Sequence, residues 1–266
     1  MFYNHARPQS PEAVADAFGP LIADGWTAAK FMPVPAEPDA EGRLRMDAAD
    51  SIRKGVAIVA AARDCVGPEF ELLIETHGRL RPVEAIELAC RLEPYDPMFI
   101  EEPTRPEAMA SFKLLREKIR LPIATGERLY SRWAFQPLIE AELVDYLQPD
   151  IVRSHGITEV RKIADYADTH LIKMAPHNPQ SPVNTMAILH LDLVMPNFAS
   201  QEVIWPFPRF FRELFDGVPE IKGGHAAPPS APGLGITLKE DRAREIEYEP
   251  SAIDELMLPD GTYTDF

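Results

Sequence analysis

The stretch FELLIETHGRL, residues 70–80, is apolar at Phe70, Leu72, Leu73 and Ile74 and then sets down Glu75, Thr76, His77, Gly78 and Arg79 in succession. An apolar run of strand length with polar groups only at its end reads as a strand covered on both faces, the kind that parallel sheets use. Similar runs recur along the chain: TAAKF (27–31), MFIEE (98–102), PIATG (122–126), DYLQPD (145–150), LIKMAPH (171–177) and FASQEV (198–203). With FELLIE they make seven candidate strands.

Between the runs lie helical patterns over 11–24, 46–65, 82–92, 106–118, 131–141, 157–168 and 182–194, with Pro106 and Pro182 placed where a first helical turn tolerates proline. So long and regular a β/α alternation favours an α/β fold of the (β/α)8 TIM type over an open doubly wound sheet. Seven strands are one short of a closed barrel, and the first helix begins about ten residues from Met1, which leaves little room for an opening strand. The expected organisation is a barrel over 1–216, incomplete at its start. A Pro/Gly-rich tail over 217–266, beginning GVPEIKGGHAAPPSAPGLG, is expected to pack on it with terminal strand and helix elements.

The 266 residues suffice for one large core, and 45% hydrophobic with 26% charged residues is the composition of a folded globular chain. Forty-two acidic against 27 basic side chains give a net charge of -15, which argues against nucleic acid as a partner. No apolar run reaches membrane length, so no membrane partner is expected. Cys65 and Cys90 lack metal-type spacing and the first ten residues, MFYNHARPQS, lack a signal-peptide core, so a cytoplasmic location is expected.

The chemistry gathers at the strand ends. Glu75, Glu101 and Glu127 are spaced by 26 residues each, about one βα unit, and a barrel brings successive strand ends around a single mouth. Three converging anions need a cation, and hard carboxylate oxygens suit Mg2+ better than zinc. A single glutamate in such a place is usually a solvated loop residue; the shared position on three consecutive units argues for a metal site. Asp150, His177 and Glu202 also stand where strand-like runs finish. A carboxylate beside an imidazole fixes its tautomer and stabilises the protonated form, so Asp150 makes His177 a candidate general base.

The residues HGR (77–79), LEPYDPMFIEEP (92–103), LPIATGERLYSRW (121–133), LQPD (147–150), GITEVRKIA (156–164), APHNP (175–179) and QE (201–202) resemble the mandelate racemase branch of the enolase superfamily, and within it the galactonate dehydratase-like acid-sugar dehydratases. The resemblance implies Glu75, Glu101 and Glu127 as ligands of Mg2+ and Asp150 with His177 as the base dyad; Mn2+, larger and less strict in geometry, is expected to be accepted as well. It implies His77 as the acid that protonates a departing hydroxyl, and Glu202 and Lys30 as substrate contacts. The implied reaction is Mg-dependent dehydration of an aldonate to a 2-keto-3-deoxy acid through an enediolate, with a small sugar acid as partner; a homo-oligomer is expected.

The sequence departs from the family at several points. Glu75 stands where Asp is usual, a carboxylate pushed about 1.5 Å further by one methylene. Arg153 stands where a histidine is usual and is taken as a substrate contact, and HNPQSP at 177–182 replaces the usual HCPLGP. The family's α+β capping domain and first barrel strand are both expected to be missing. Two alternatives therefore remain: a racemase or epimerase using the same enolate, and a truncated, catalytically impaired barrel that serves as a binding or assembly subunit.

Overall fold

The computed structural model describes residues 1–41, 43–247 and 256–264. Eight parallel strands form one sheet: β1 (Phe2–His5), β2 (Ala28–Phe31), β3 (Glu71–Glu75), β4 (Phe99–Glu101), β5 (Ile123–Thr125), β6 (Tyr146–Leu147), β7 (Lys173–Met174) and β8 (Gln201–Glu202). Pairing runs β8-β1-β2-β3-β4-β5-β6-β7. The ring closes where Met174 bridges Phe198 in parallel, just ahead of β8.

The expected loss of the first strand is therefore corrected. Residues 2–5 form β1, which pairs with β8 through Phe2↔Gln201 and Tyr3↔Glu202 and with β2 through Asn4↔Ala29 and His5↔Lys30. Four residues suffice because both edges are partnered; the Gln201 and Val203 N–H groups donate to the Met1 and Tyr3 carbonyls at 2.9 and 3.1 Å.

Among the described residues, seven helices of nine or more residues pack outside: α1 (Val14–Ala23), α2 (Ala48–Val66), α3 (Pro82–Leu92), α4 (Met109–Lys118), α5 (Arg132–Glu140), α6 (Ile157–Asp168) and α7 (Pro182–Asp192). Their apolar stripes follow helical spacing, as in α3, which buries Ala85, Leu88, Ala89 and Leu92, and α6, which buries Val160, Ile163, Ala164 and Ala167. Pro182 opens α7 as expected. Pro106 does not open α4: the Ala108 N–H donates to the Arg105 carbonyl in a separate turn, and the helix begins at Met109.

Inside the ring, strand alternation stacks two unlike layers. Tyr3, Ala28, Leu73, Phe99, Ala124 and Ala175 fill the lumen, large rings against small alanines. Tyr3 meets Phe99 edge-on at 6.5 Å, and Phe99 meets Tyr146 at 5.1 Å. Two residues further along the same strands come His5, Lys30, Glu75, Glu101 and His177. A packed apolar plug thus floors a charged layer at the C-terminal mouth. Because Phe99 is fully buried in this plug, Phe99→Ala is expected to cost about 3–5 kcal/mol of stability; urea unfolding read by circular dichroism checks this, and a loss within experimental error would show that the floor repacks.

One excursion reaches the mouth and another lies at the opposite end of the barrel. The segment after β2 forms a short antiparallel pair, Glu37–Pro38 with Leu44–Arg45, and Leu256–Met257 adds in parallel to Leu44–Arg45. Phe215–Asp216, just ahead of the expected tail, pairs with Thr237–Leu238 within it, and Ile221–Lys222 pairs with His225–Ala226, while the Phe2 N–H donates to the Gly224 carbonyl at 2.8 Å. Residues 248–255 and 265–266 of that tail lie outside the described residues. Among the described residues no helix is long and apolar enough to cross a membrane.

Candidate active site and metal centre

The C-terminal ends of β3 and β4 and the turn after β5 deliver Glu75, Glu101 and Glu127, and one oxygen from each lies within 4.8 Å of the others. All three are buried. Gly126, at φ 142°, sets the direction of the Glu127 turn; a Cβ there would sit 3.0 Å from the Gln148 backbone nitrogen. Glu101 Oε2 is buried and has no hydrogen-bond donor among the described residues. An orphaned anionic oxygen within a triad of hard donors fits a hard divalent cation.

Lys30 enters from β2. Its Nζ lies 2.6 Å from Glu101 Oε1, 2.6 Å from Glu202 Oε1 and 3.5 Å from Glu75 Oε2. Burial alone would lower this ammonium, but Glu101 and Glu202 raise it well above its ordinary value, so it stays charged. Burial pushes Glu75 well above the usual carboxylate range, reinforced by the Glu101 charge. Glu101, in contrast, is held down by Lys30 against the opposing effect of burial.

His177 follows β7 and Asp150 follows β6. His177 Nδ1 is 2.9 Å from Asp150 Oδ2, and Nε2 is 3.1 Å from Glu127 Oε2 and 4.0 Å from Glu202 Oε2. Burial would lower the imidazole, but Glu202, Asp150 and Glu127 together raise it above its ordinary value. For Asp150 burial is outweighed by the His177 hydrogen bond, and the carboxyl is lowered. Gln180 also donates to Asp150 Oδ2, at 3.3 Å. Burial likewise would raise Glu202, yet Lys30, His177 and His5 hold it well below the carboxylate range.

His77 stands across the triad, with Nε2 3.7 Å from Glu127 Oε1. Its backbone is left-handed, φ 53°, and its N–H turns back onto the Glu75 carboxylate. Burial lowers its imidazole, and Glu127 offsets that only in part. Arg153 lies further out, about a third exposed, donating to the Glu127 carbonyl at 3.1 Å and passing 3.9 Å from Asp150 Oδ2. A cavity of about 480 Å3 is lined by Lys30, Glu75, His77, Glu127, His177 and Glu202 among others. Glu101, Asp150 and Arg153 are not on its wall; they reach it through the residues they hold.

Residues 13–242 match the family described as Enolase C-terminal domain-like. The chain belongs to this family. Among its relatives, the D-gluconate/D-galactonate dehydratase of Picrophilus torridus is 37% identical over 229 residues, 86% of this chain and 57% of that protein. The D-mannonate dehydratase of a Sphingomonas species is 34% identical over 235 residues, 88% and 58% of the two chains. A crystal structure of an enolase from Pantoea ananatis with bound D-gluconate and Mg superposes with a TM-score of 0.91 at 29% identity, covering 98% of this chain and 70% of that one. The chain therefore spans somewhat over half the length of the curated relatives it matches, and the enolase-superfamily membership expected from the motifs is borne out.

Two residues of the site went unread in the sequence. His5 contacts Glu202 with Nε2 at 2.8 Å and lines the cavity. Its signal was the two-residue step from a lumen-facing Tyr3, which recognition of β1 would have supplied. Glu102, beside Glu101, takes φ 44° and turns away to accept from Thr125 Oγ1, the Gly126 N–H at 3.2 Å and Arg128 Nε at 3.1 Å. Burial raises its carboxyl to about 7. It braces the turn that carries Glu127.

Proposed function

We propose that the protein dehydrates a sugar acid of the aldonate class to a 2-keto-3-deoxy acid, with His177 as base and His77 as acid. The carrying observation is that a buried His177–Asp150 pair and His77 both approach Glu127, one member of a carboxylate triad able to hold a divalent cation. Glu75, Glu101 and Glu127 would hold Mg2+. Bound there, the cation supplies the positive charge that makes a proton next to a carboxylate removable.

The chain's own residues do the rest. Lys30, fixed by Glu101 and Glu202, directs its ammonium toward the substrate carboxylate. His177 Nε2, freed for the cavity by the Nδ1 contact with Asp150, takes the C2 proton and leaves an enediolate. His77 gives a proton to the 3-hydroxyl, which departs as water, and the enol tautomerises to the keto acid. Glu202 completes the substrate contacts, and Arg153, expected from the sequence as a further contact, instead braces Glu127 from outside the cavity wall. The relatives named as gluconate, galactonate and mannonate dehydratases, and the neighbour holding D-gluconate and Mg, support this substrate class. Incubation with Mg2+ and a panel of aldonic acids, followed by assay of 2-keto-3-deoxy acids, tests it; isomerised acid without keto acid would overturn it.

The dyad gives a separate expectation. His177 works as a base only when neutral, so exchange of the C2 proton with solvent should rise with pH as the raised imidazole loses its proton. Asp150→Asn removes a charge that favours the protonated form. It is expected to move this limb to lower pH and to slow exchange by about 10–100-fold, since a less basic imidazole is a weaker base. A deuterium-exchange pH profile by NMR checks it, and an unmoved limb would detach Asp150 from the base.

A further inference from the structure

A third side chain touches the Asp150–His177 pair. Gln180, in the turn between β7 and α7, donates from Nε2 to Asp150 Oδ2 at 3.3 Å, the same oxygen that lies 2.9 Å from His177 Nδ1. Gln180 does not line the cavity, so its route to the chemistry runs through Asp150. The turn that carries it is fixed on both sides. Ahead of it, the Asn178 N–H donates to Glu202 Oε2 at 2.8 Å, and the Asn178 amide donates to Thr185 Oγ1 and accepts from Asn184 Nδ2, both at 2.8 Å. Behind it, the Ser181 carbonyl accepts the Thr185 N–H at 3.2 Å as α7 begins. Pro179 and Pro182 restrict φ on either flank. A short, stiff arch therefore presents the Gln180 amide to the carboxylate.

The two oxygens of Asp150 are held differently. Oδ1 accepts the Val152 and Arg153 N–H groups at 2.8 and 3.4 Å, both from its own turn. Oδ2 faces the imidazole, and Arg153 Nε stays 3.9 Å away, beyond hydrogen-bond reach. Among the described residues, Gln180 and His177 are the side chains that hydrogen-bond Oδ2. An ionised carboxylate oxygen has two lone pairs, so it can accept from both at once. Without Gln180, the bond that fixes Oδ2 would be the bond to the ring that Oδ2 has to orient. Leucine at this position, as in the HCPLGP pattern that HNPQSP replaces, has no donor to offer.

We propose that Gln180 is a positioning residue: it locks the Asp150 carboxylate and, through it, holds the His177 ring with Nε2 aimed at the proton to be removed. The identity of that proton rests on the sugar-acid reading of the site; the lock on the ring does not. A base that is held less firmly costs rate more than affinity, because Lys30 and the carboxylate triad, which meet the substrate and the cation, are untouched by Gln180.

The test compares wild type, Gln180→Leu and Gln180→Glu, the second keeping the length of the side chain while removing its donor. The first readout needs neither substrate nor metal: the His177 Nδ1–H resonance of protein labelled with 15N-histidine, assigned by its loss in His177→Gln. Its exchange with water is expected to quicken by about 10-fold in both variants, as Asp150 Oδ2 loses its second hydrogen bond. The second readout is turnover of D-gluconate with Mg2+, where kcat should fall by about 10-fold while KM moves by less than about 2-fold. Unchanged Nδ1–H exchange, an unchanged kcat, or a loss carried by KM alone would each overturn the proposal while leaving the dehydratase reading intact. Should the wild type turn over no acid of the aldonate panel, that reading falls, and Nδ1–H exchange decides for Gln180: faster exchange in both variants supports the lock, and equal exchange overturns it.

Discussion

His177→Ala is expected to lower dehydration by about 1,000-fold or more and to abolish exchange of the C2 proton with solvent. His77→Ala should lower dehydration by a comparable factor yet keep the exchange. The asymmetry follows from the order of events in the proposed reaction: proton removal comes first, and only departure of the hydroxyl needs an acid. Geometry supports the two proposed parts. His177 has Asp150 behind Nδ1, which supports a proton accepted at Nε2, whereas His77 brings its Nε2 to 3.7 Å from Glu127 Oε1. Burial sharpens the contrast, since it lowers His77 and so makes its protonated form the readier donor. The fold should survive both changes: Asp150 keeps Gln180 as a donor when His177 is removed, and His77 lies on a partly exposed turn. NMR in deuterated solvent reads exchange and keto-acid assay reads dehydration; equal exchange in the two variants would contradict these roles.

The same barrel period made most of the site legible in the sequence and hid its beginning. Glu75, Glu101 and Glu127 could be read because each follows a short buried, mainly apolar run, and burial on both faces writes a strand as a continuous apolar block. β1 offers no such block: Phe2 and Tyr3 are its apolar residues, and Asn4 is occupied with the Trp205 backbone through a carbonyl acceptor at 2.8 Å and an N–H donor at 3.0 Å. Its stability comes from ladders on both sides, a non-local cause that a local window does not contain. For the same reason the pairing of Leu44–Arg45 with Leu256–Met257 was invisible, since two residues of strand at each end leave no periodicity to detect. Glu102 shows the converse case. Strand alternation sends one of two adjacent glutamates inward, but the left-handed turn at Glu102, which makes it a brace under Glu127, is a property of the assembled strand ends.

Glu101→Gln is expected to weaken Mg2+ binding by about 100-fold or more, because it removes a charged ligand where loss of a mere supporting contact already costs about 10–100-fold. The substitution is isosteric, and Lys30 keeps Glu202 at 2.6 Å, so the buried ammonium is not stranded. A loss of affinity would therefore report on the ligand itself and not on a collapsed site, which thermal unfolding of the metal-free proteins can verify. Glu75→Asp is the graded counterpart. Its carboxyl is pushed upward by burial and by Glu101, so it gives up its proton reluctantly. Its N–H contact from His77 ties one oxygen back to its own strand end. A shorter side chain retracts the carboxylate by about 1.5 Å and restores the reach usual in the resembling dehydratases, so Mg2+ should bind more tightly if reach is what limits it. Calorimetric titration of the three proteins measures both effects. Unchanged affinity in Glu101→Gln would place the cation elsewhere, and weaker binding by Glu75→Asp would mean that the strand ends have been reshaped around glutamate.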